Sequence, residues 1–311
     1  MAPKNKTLTM IREALKNGMG LSKSQLELIA APIEHDTSEL YSQNSFYGHS
    51  RIIKEYSGYP VQKPILGVVP HGVYQTAVDH SDLCTSFKYA FTPNESLSNE
   101  FKASKMIPVV IGSPIIYANH LHPQRQLNPK HGTLVFPCHS SEFQTVEYDV
   151  QLFIDFLKNL PDKFQPLYVV LYWADIARGL HNIFLRNEFK CFCAGHIFDS
   201  HFIFHLMELF RHSKHTITNA FGSHCYYSNF FGNPVFVYKQ KIKNNNYLPH
   251  HKEHSHKPTL ALPMLYRKYC NDLNFDGFKD QFNISNNILG VEKMYRKEKL
   301  LEILIKPIKN L

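Results

Sequence analysis

Between Gly132 and Tyr238, short apolar runs alternate with segments of helical periodicity. Each run has the length of a buried strand and ends at a small or polar residue. The predicted strands are Gly132–Phe136, Leu167–Tyr172, Lys190–Ala194, Thr216–Thr218 and Val235–Val237. The predicted helices are Asp149–Asn159, Ile176–Arg186, Ser200–Arg211 and His224–Phe231. This alternation predicts a parallel sheet covered by helices on both faces, with a site in the loops that follow the strands.

The last loop and helix of this series have the composition of an anion site. We interpret Asn219 to Gly222 as a turn, Ser223 as the helix N-cap, and Gly232 as the left-handed residue that ends the helix. The free N–H groups and the positive dipole end of a helix N-terminus favour a bound anion, so this turn predicts phosphate binding. A cap with a purely structural role is the alternative.

The chain before Gly132 predicts a second α/β unit that begins with helices. Residues 6–58 have helical spacing of apolar positions, while Ile65–Val69 and Met106–Ile111 are apolar runs that end in loops. Tyr89–Phe91 is a candidate third strand, and the polar segment His120–Gly132 marks a boundary. The predicted domains are 1–128 and 129–275, followed by a basic amphipathic helix in 276–311 that packs back on them.

The charge of the chain predicts an anionic partner. Its 311 residues carry a formal charge of +8, and 19 histidines add positive charge in mild acid. The basic residues are dispersed and no nucleic-acid-binding motif is present, so we expect no nucleic acid partner.

The N-terminal residues lack the apolar core of a signal peptide, and no stretch has the length of a membrane span. We therefore expect a cytoplasmic protein, with peripheral contact to an anionic inner membrane face as a further option. The basic C-terminal helix favours docking on a neighbouring element, and a membrane-surface role is the alternative.

The cysteine and histidine patterns predict neither a metal nor a cofactor. Most of the six cysteines lie in apolar runs, as buried free thiols do. A polar stretch contains four histidines that could bind a metal, but this composition is more typical of a solvated loop. These histidines are His250, His251, His254 and His256.

The loops after the predicted strands share small residues, hydroxyls and imidazoles. They contain His71 and Gly72, Ser113, His139, Ser140 and Ser141, Gly195 and His196, and Asn219, Gly222, Ser223 and His224. Because parallel strands end at one edge of a sheet, these groups predict a pocket for one or two phosphates. Each group also has a structural alternative as a cap, a turn residue or a hydrogen-bonded histidine. We interpret Asp175 as the cap of the helix that follows it.

Several stretches resemble a known family, although the G-x-S-x-G, P-loop and G-x-G-x-x-G motifs are absent. The carboxyl-terminal domain of bacterial GT-B glycosyltransferases, which act in polysaccharide, capsule or lipopolysaccharide assembly, is similar to "HGTLVFPCHSSEF", "YVVLYWADI" and "CFCAGHIFDSHFIFHLMELFRHSKHTITNAFGSHCYYSNFFGNPVFVY". Their acceptor-side half is similar to Pro70-His71-Gly72 and "MIPVVIGSPIIYA". The similarity covers roughly residues 60–240.

The resemblance implies two Rossmann-like domains that face a cleft, a nucleotide-activated sugar bound by the C-terminal domain, and no required metal. It implies donor-phosphate binding by His139, Ser140, Ser141, Asn219, Gly222, Ser223 and His224, with Gly195 and His196 on the same side. His71 becomes the base that takes a proton from the acceptor hydroxyl, with Asp79 or Asp82 orienting or replacing it. Gly72 and Ser113 fall on the acceptor side.

The implied activity is transfer of a sugar, with a CMP-linked acidic sugar as one candidate, to a saccharide or lipid-linked acceptor. A polyol-phosphate transferase of the teichoic-acid type and a non-catalytic glycan-binding or sugar-nucleotide-binding protein are the alternatives.

Overall fold

The computed structural model describes residues 5–73, 78, 80–124, 129–142, 144–246, 268 and 272–309. The α-helices are α1 (Lys6–Lys16), α2 (Lys23–Ala30), α3 (His49–Ser57), α4 (His80–Leu83), α5 (Glu95–Ala103), α6 (Pro114–Leu121), α7 (Val150–Lys158), α8 (Trp173–Ala177), α9 (His181–Arg186), α10 (Phe202–His212), α11 (Ser223–Phe230), α12 (Phe278–Leu289) and α13 (Lys297–Lys309). The strands are β1 (Tyr89–Thr92), β2 (Ile107–Val110), β3 (Thr133–Phe136), β4 (Gln144–Tyr148), β5 (Leu167–Leu171), β6 (Lys190–Cys193), β7 (His215–Thr218), β8 (Val235–Val237) and β9 (Ile242–Asn246).

The chain forms two compact units from interleaved segments. The first contains the described residues of Met1–Pro32, Asn128–His196 and Phe204–Gln281, and the second those of Ile33–Leu127, Ile197–Ile203 and Phe282–Leu311. The predicted domains 1–128, 129–275 and 276–311 instead follow one another along the chain. The N-terminal helices lie in the first unit, where the Leu21 N–H donates to the Cys191 carbonyl at the edge of β6 (2.9 Å). Arg12 of α1 also pairs with Glu208 of α10 at 2.9 Å.

The first unit contains a five-stranded parallel sheet in the order β6-β5-β3-β7-β8. This confirms the predicted parallel sheet flanked by helices. The chain builds outward from β3 through β5 to β6, and then returns to the other side of β3 for β7 and β8. The direction of winding therefore reverses between β3 and β7, which is where doubly wound sheets open a crevice at the carboxyl ends of their strands.

Local backbone geometry corrects two of the predicted helices. The single helix expected over 176–186 is two helices, α8 and α9, because Gly179 between them has the left-handed φ of +83°. Helix α11 begins at Ser223 with Gly222 as its N-cap, so Ser223 is the first helical residue and not the cap. The predicted left-handed glycine after this helix is confirmed, since Gly232 has a φ of +79°.

A two-stranded antiparallel ribbon joins two segments that were not predicted as strands. Strand β4 pairs with β9 from Gln144 opposite Asn246 to Tyr148 opposite Ile242. Strand β9 lies in the polar segment after Val235–Val237, where the sequence predicted no further strand. Pairing with β4 orders this part of it, because the ladder satisfies backbone groups that local composition leaves unpaired.

The second unit contains the parallel pair β1 and β2. Of the predicted strand Ile65–Val69, only Val68 pairs with β1, through a single bridge to Ala90. The amide of Asn44 occupies the other side, donating to the Gly67 carbonyl (2.9 Å) and accepting from the Val69 N–H (2.8 Å). A side chain therefore takes the place of a neighbouring strand.

The C-terminal helix α13 belongs to the same unit as α3 and packs against it. Its Leu300 and Leu304 are buried, at 0% and 1% exposure, as expected for a helix that docks its apolar face on the protein. Within the described ranges, no helix is both long enough and apolar enough to cross a bilayer.

Candidate functional site

The loop after β3 is fastened on both sides by side chains from the neighbouring strand ends. The Cys138 N–H donates to the Oδ1 of Asn219, which follows β7, at 2.5 Å. The Ser140 N–H donates to the carboxylate of Asp175, which lies in α8 after β5, at 3.1 and 3.3 Å. Asp175 therefore holds this loop, whereas the sequence suggested that it caps its own helix.

The segments that follow β5 and β7 contain three buried side-chain nitrogens without partners among the described residues. The Nδ2 of Asn219, the Nε2 of His224 and the indole Nε1 of Trp173 are shielded from solvent and have no hydrogen-bond partner in the described part of the chain. Asn219 itself is 0% exposed. An unpaired buried polar group costs about 1–3 kcal/mol, so a ligand rich in acceptors would recover this energy.

Aromatic contacts hold the three imidazoles of the site. His224 stacks on Phe136 at the end of β3, with ring centroids 4.7 Å apart. The ring of His139 lies 4.3 Å from that of Tyr172, and the ring of His196 lies 4.2 Å from that of Trp173. These contacts set the ring planes and therefore the directions of the ring nitrogens.

The donors at this site are uncharged near neutral pH. Burial, together with the nearby His139, lowers the pKa of His224 from 6.5 to about 3, so the ring is a neutral imidazole. Burial also raises the pKa of the Cys138 thiol to about 12, with Asp175 adding to the effect, which keeps the sulfur protonated. Cys138 is therefore a poor nucleophile. The pKa of Asp175 is raised by burial, against the opposing hydrogen bond from the Ser140 N–H.

The other residues that were predicted to bind the sugar-nucleotide donor lie at the same edge of the sheet. The Ser141 N–H donates to the Gln144 carbonyl (2.8 Å), and its own carbonyl accepts from Arg178 (2.9 Å). Gly195 follows β6 with a φ of +122°, and His196 beside it is buried. Gly222 and Ser223 form the start of α11. The sheet topology thus gathers residues that are far apart in sequence, and their roles as ligand contacts stay predictions.

In the second unit, His71 lies beside the buried His49, which was not among the predicted site residues. The Nδ1 of His49 lies 3.3 Å from the carbonyl oxygen of Pro70, and its Nε2 has no partner among the described residues. Burial and the nearby His71 lower the pKa of His49 to about 3. The ring of Phe46 meets that of His71 edge-on, with centroids 5.1 Å apart.

The remaining residues that were predicted on the acceptor side also lie in the second unit. Gly72 follows His71, and Ser113 is 2% exposed with its N–H bonded to the Leu289 carbonyl at 2.8 Å. Asp82 is fully buried and accepts from the Tyr41 hydroxyl at 2.8 Å. Asp79 lies outside the described residues.

No metal-binding group of three or more His, Cys, Asp or Glu side chains occurs among the residues that the structure describes. The histidines of 250–256 lie outside them.

Sequence reasoning missed Trp173 and Tyr148. The Tyr148 hydroxyl is also buried and has no partner in the ranges that the structure describes, and burial and the charge of Asp175 raise its pKa. Both residues have the appearance of core aromatics in the sequence. The position of Trp173 could have indicated a role, because it directly follows a strand of the parallel series. Ligands bind at this carboxyl-terminal edge of such sheets.

No protein-family model matches the chain, and no curated protein matches it significantly. Among solved structures, the chain is similar to a variant of the wall teichoic acid polymerase TagF, at 13% identity and a TM-score of 0.41 over 72% of this chain and 59% of that one. It is also similar to UDP-GlcNAc 2-epimerase from Neisseria meningitidis bound to UDP-GlcNAc, at 12% identity and a TM-score of 0.40 over 72% of this chain and 62% of that one. A third similar structure is MnaA from S. aureus with UDP, at 10% identity and a TM-score of 0.37 over 90% and 81% of the two chains.

The chain thus spans less than two thirds of the length of the TagF and epimerase chains. All three likenesses are too weak to carry an argument about function.

Proposed function

We propose that this protein is a glycosyltransferase that moves a sugar from a nucleotide-activated donor to a saccharide or lipid-linked acceptor in cell-surface polysaccharide assembly. The observation that carries the proposal is the set of buried side-chain nitrogens on Asn219, His224 and Trp173, in the segments that follow β5 and β7, which have no partner among the described residues. Neutral donors held in place by their neighbours suit the phosphate oxygens of a leaving nucleotide, because they need no reorganisation as negative charge develops.

In the proposed reaction, the acceptor hydroxyl oxygen attacks the anomeric carbon of the donor sugar. The bond between that carbon and the phosphate oxygen breaks, and the nucleotide leaves with the electron pair. His71 takes the proton of the acceptor hydroxyl, as the family resemblance implies. The donors around the loop after β3 stabilise the charge that appears on the phosphate.

The first experiment measures which nucleotide the full-length chain binds. Thermal unfolding is followed with CMP, CDP, UDP and GDP, and the dissociation constants are then measured by calorimetry. A nucleotide present at 100 times its dissociation constant adds about 2.7 kcal/mol of stability, which is a clear shift of the melting temperature. If no nucleotide shifts the transition, the proposal is refuted.

The second experiment separates the three candidate activities. Sugar nucleotides and CDP-glycerol are tested as donors in turnover assays, in wild type and in His71→Ala. The matched control is His120→Ala, because His120 is exposed in the last turn of α6, away from the loops that follow the strands. A glycosyltransferase uses the sugar nucleotides and loses turnover in His71→Ala while donor binding persists. Turnover of CDP-glycerol alone would indicate the polyol-phosphate transferase, and binding without any turnover would indicate the non-catalytic protein.

A further inference from the structure

Gln240 carries a buried amide with no partner at either end. Its Oε1 and Nε2 are both shielded from solvent, and neither makes a hydrogen bond within the described ranges. Buried amides in native proteins are paired, because water no longer compensates the donor and the acceptor. Two unsatisfied atoms on one side chain therefore indicate a partner that the described residues do not provide.

Gln240 follows β8, at the same edge of the parallel sheet as the loop after β3. Two residues before it, the Tyr238 N–H donates to the carbonyl of Thr218, which directly precedes Asn219 (2.7 Å). Two residues after it, Ile242 pairs with Tyr148, and the pKa of the Tyr148 hydroxyl responds to Asp175 and Cys138. Since two residues span at most about 7 Å, the Gln240 backbone lies within about 7 Å of Tyr238 and of Ile242, at the edge of the sheet that also carries the loop after β3.

The chemistry of the amide selects the kind of partner. A planar amide presents one acceptor and one donor side by side, and the complementary group presents a donor and an acceptor in the same plane. The edge of a nucleobase has this arrangement, and Asn and Gln side chains read bases by such paired bonds. A phosphate offers acceptors only, so it would leave the Oε1 of Gln240 unpaired.

We infer that Gln240 binds the base of the nucleotide whose phosphate occupies the site at the carboxyl ends of β3 and β7. This inference rests on the proposed function and adds to it the residue that recognises the base. The amide acts as a specificity contact. It takes no part in bond making or breaking.

The test compares a nucleotide with a probe that lacks the base. Calorimetry measures the binding of CMP, UMP and ribose 5-phosphate to full-length wild type, Gln240→Ala and Gln240→Met. We expect both substitutions to weaken binding of the preferred nucleotide by about 10- to 100-fold, as for the loss of a paired base contact, while ribose 5-phosphate binds within about twofold of wild type.

The methionine variant provides a control for folding. Methionine has a similar length and no polar end, so it removes the unpaired amide, and we expect the ligand-free variant to melt at or above the wild-type temperature. Loss of nucleotide binding without loss of stability is the signature of a ligand contact. A lower melting temperature together with weaker binding of all three probes would overturn the inference, because Gln240 would then be structural.

Two further outcomes distinguish the inference from the proposed function. If wild type binds CMP or UMP and both substitutions leave this affinity unchanged, Gln240 does not read the base, and the nucleotide site stands. If wild type binds none of CMP, CDP, UDP and GDP and does not bind ribose 5-phosphate, the proposed function fails and the inference fails with it.

Discussion

Replacing Asn219 by aspartate tests the two polar atoms of its amide separately, because it keeps the oxygen and removes the N–H₂ group. The Oδ1 accepts the Cys138 N–H at 2.5 Å and is retained in the variant. The Nδ2, which is buried without a partner among the described residues, becomes a second oxygen. The loop after β3 therefore keeps its anchor while the site loses a donor and gains an acceptor.

The size of the effect follows from the bond that is lost. A hydrogen bond to a charged phosphate oxygen contributes about 1.5–3 kcal/mol, and a carboxylate in its place adds repulsion. We therefore expect Asn219→Asp to raise the dissociation constant of the bound nucleotide by at least about 10-fold and up to about 150-fold.

The assay is calorimetric titration with the nucleotide that most stabilises wild type, accompanied by urea unfolding. Asn233→Asp is the matched control. Asn233 is also 0% exposed, but both ends of its amide are paired, to the Phe210 carbonyl (2.8 Å) and to Lys130 (2.6 Å). It should lose stability without changing the dissociation constant. Equal nucleotide affinity in Asn219→Asp and wild type, or an equal loss in both variants, would refute the assignment of the donor.

Three other predictions concern stability, measured as the free energy of unfolding in urea. Between pH 6.5 and about 3 the folded chain keeps His224 neutral while the unfolded chain protonates it. The contribution of this ring to stability is therefore complete above pH 6.5 and decreases by about 1.4 kcal/mol for each unit that the pH falls, so His224→Gln should reduce the slope of stability against pH by about this amount, and an unchanged slope would contradict the burial. Gly290 has a φ of +68°, and the Cβ of Gly290→Ala would lie 1.9 Å from the Pro93 carbonyl oxygen, so this variant should lose more than about 2 kcal/mol of unfolding free energy. Gly18→Ala, at a φ of +62° with open space around the Cβ, should lose about 1 kcal/mol. Lys54→Met leaves the buried carboxylate of Glu39 without its ion-pair partner and should lower the free energy of unfolding by about 3–5 kcal/mol. Adding Glu39→Gln should recover part of this loss, and additive losses in the double variant would argue against the pair.

The elements that the sequence predicted well are those with strong local signals. The run "LYVVL" forms the fully buried strand β5, and the helix predicted over Asp149–Asn159 forms as α7, with Asp149 as its cap. The strand-end positions of His139 and Asn219 followed from the alternation of strands and helices. These features depend on neighbours in sequence, which is why they can be derived without coordinates.

The elements that were missed depend on distant partners. Strand β9 is polar and forms only because β4 pairs with it. Asn44 serves as a pairing partner for Gly67 and Val69, and nothing in its local sequence indicates this. Asp175 has the position of an ordinary cap until the loop after β3 folds beside it.

The amino-acid sequence by itself determined that a parallel sheet forms and that imidazoles, amides and hydroxyls follow its strands, because periodicity and strand-end composition are local properties. Only the tertiary structure decided which of these groups meet, which amides keep an unpaired donor, and how distant segments interleave into two units. Those outcomes depend on strand order and on competition among buried groups for partners, and neither is encoded within a window of neighbouring residues.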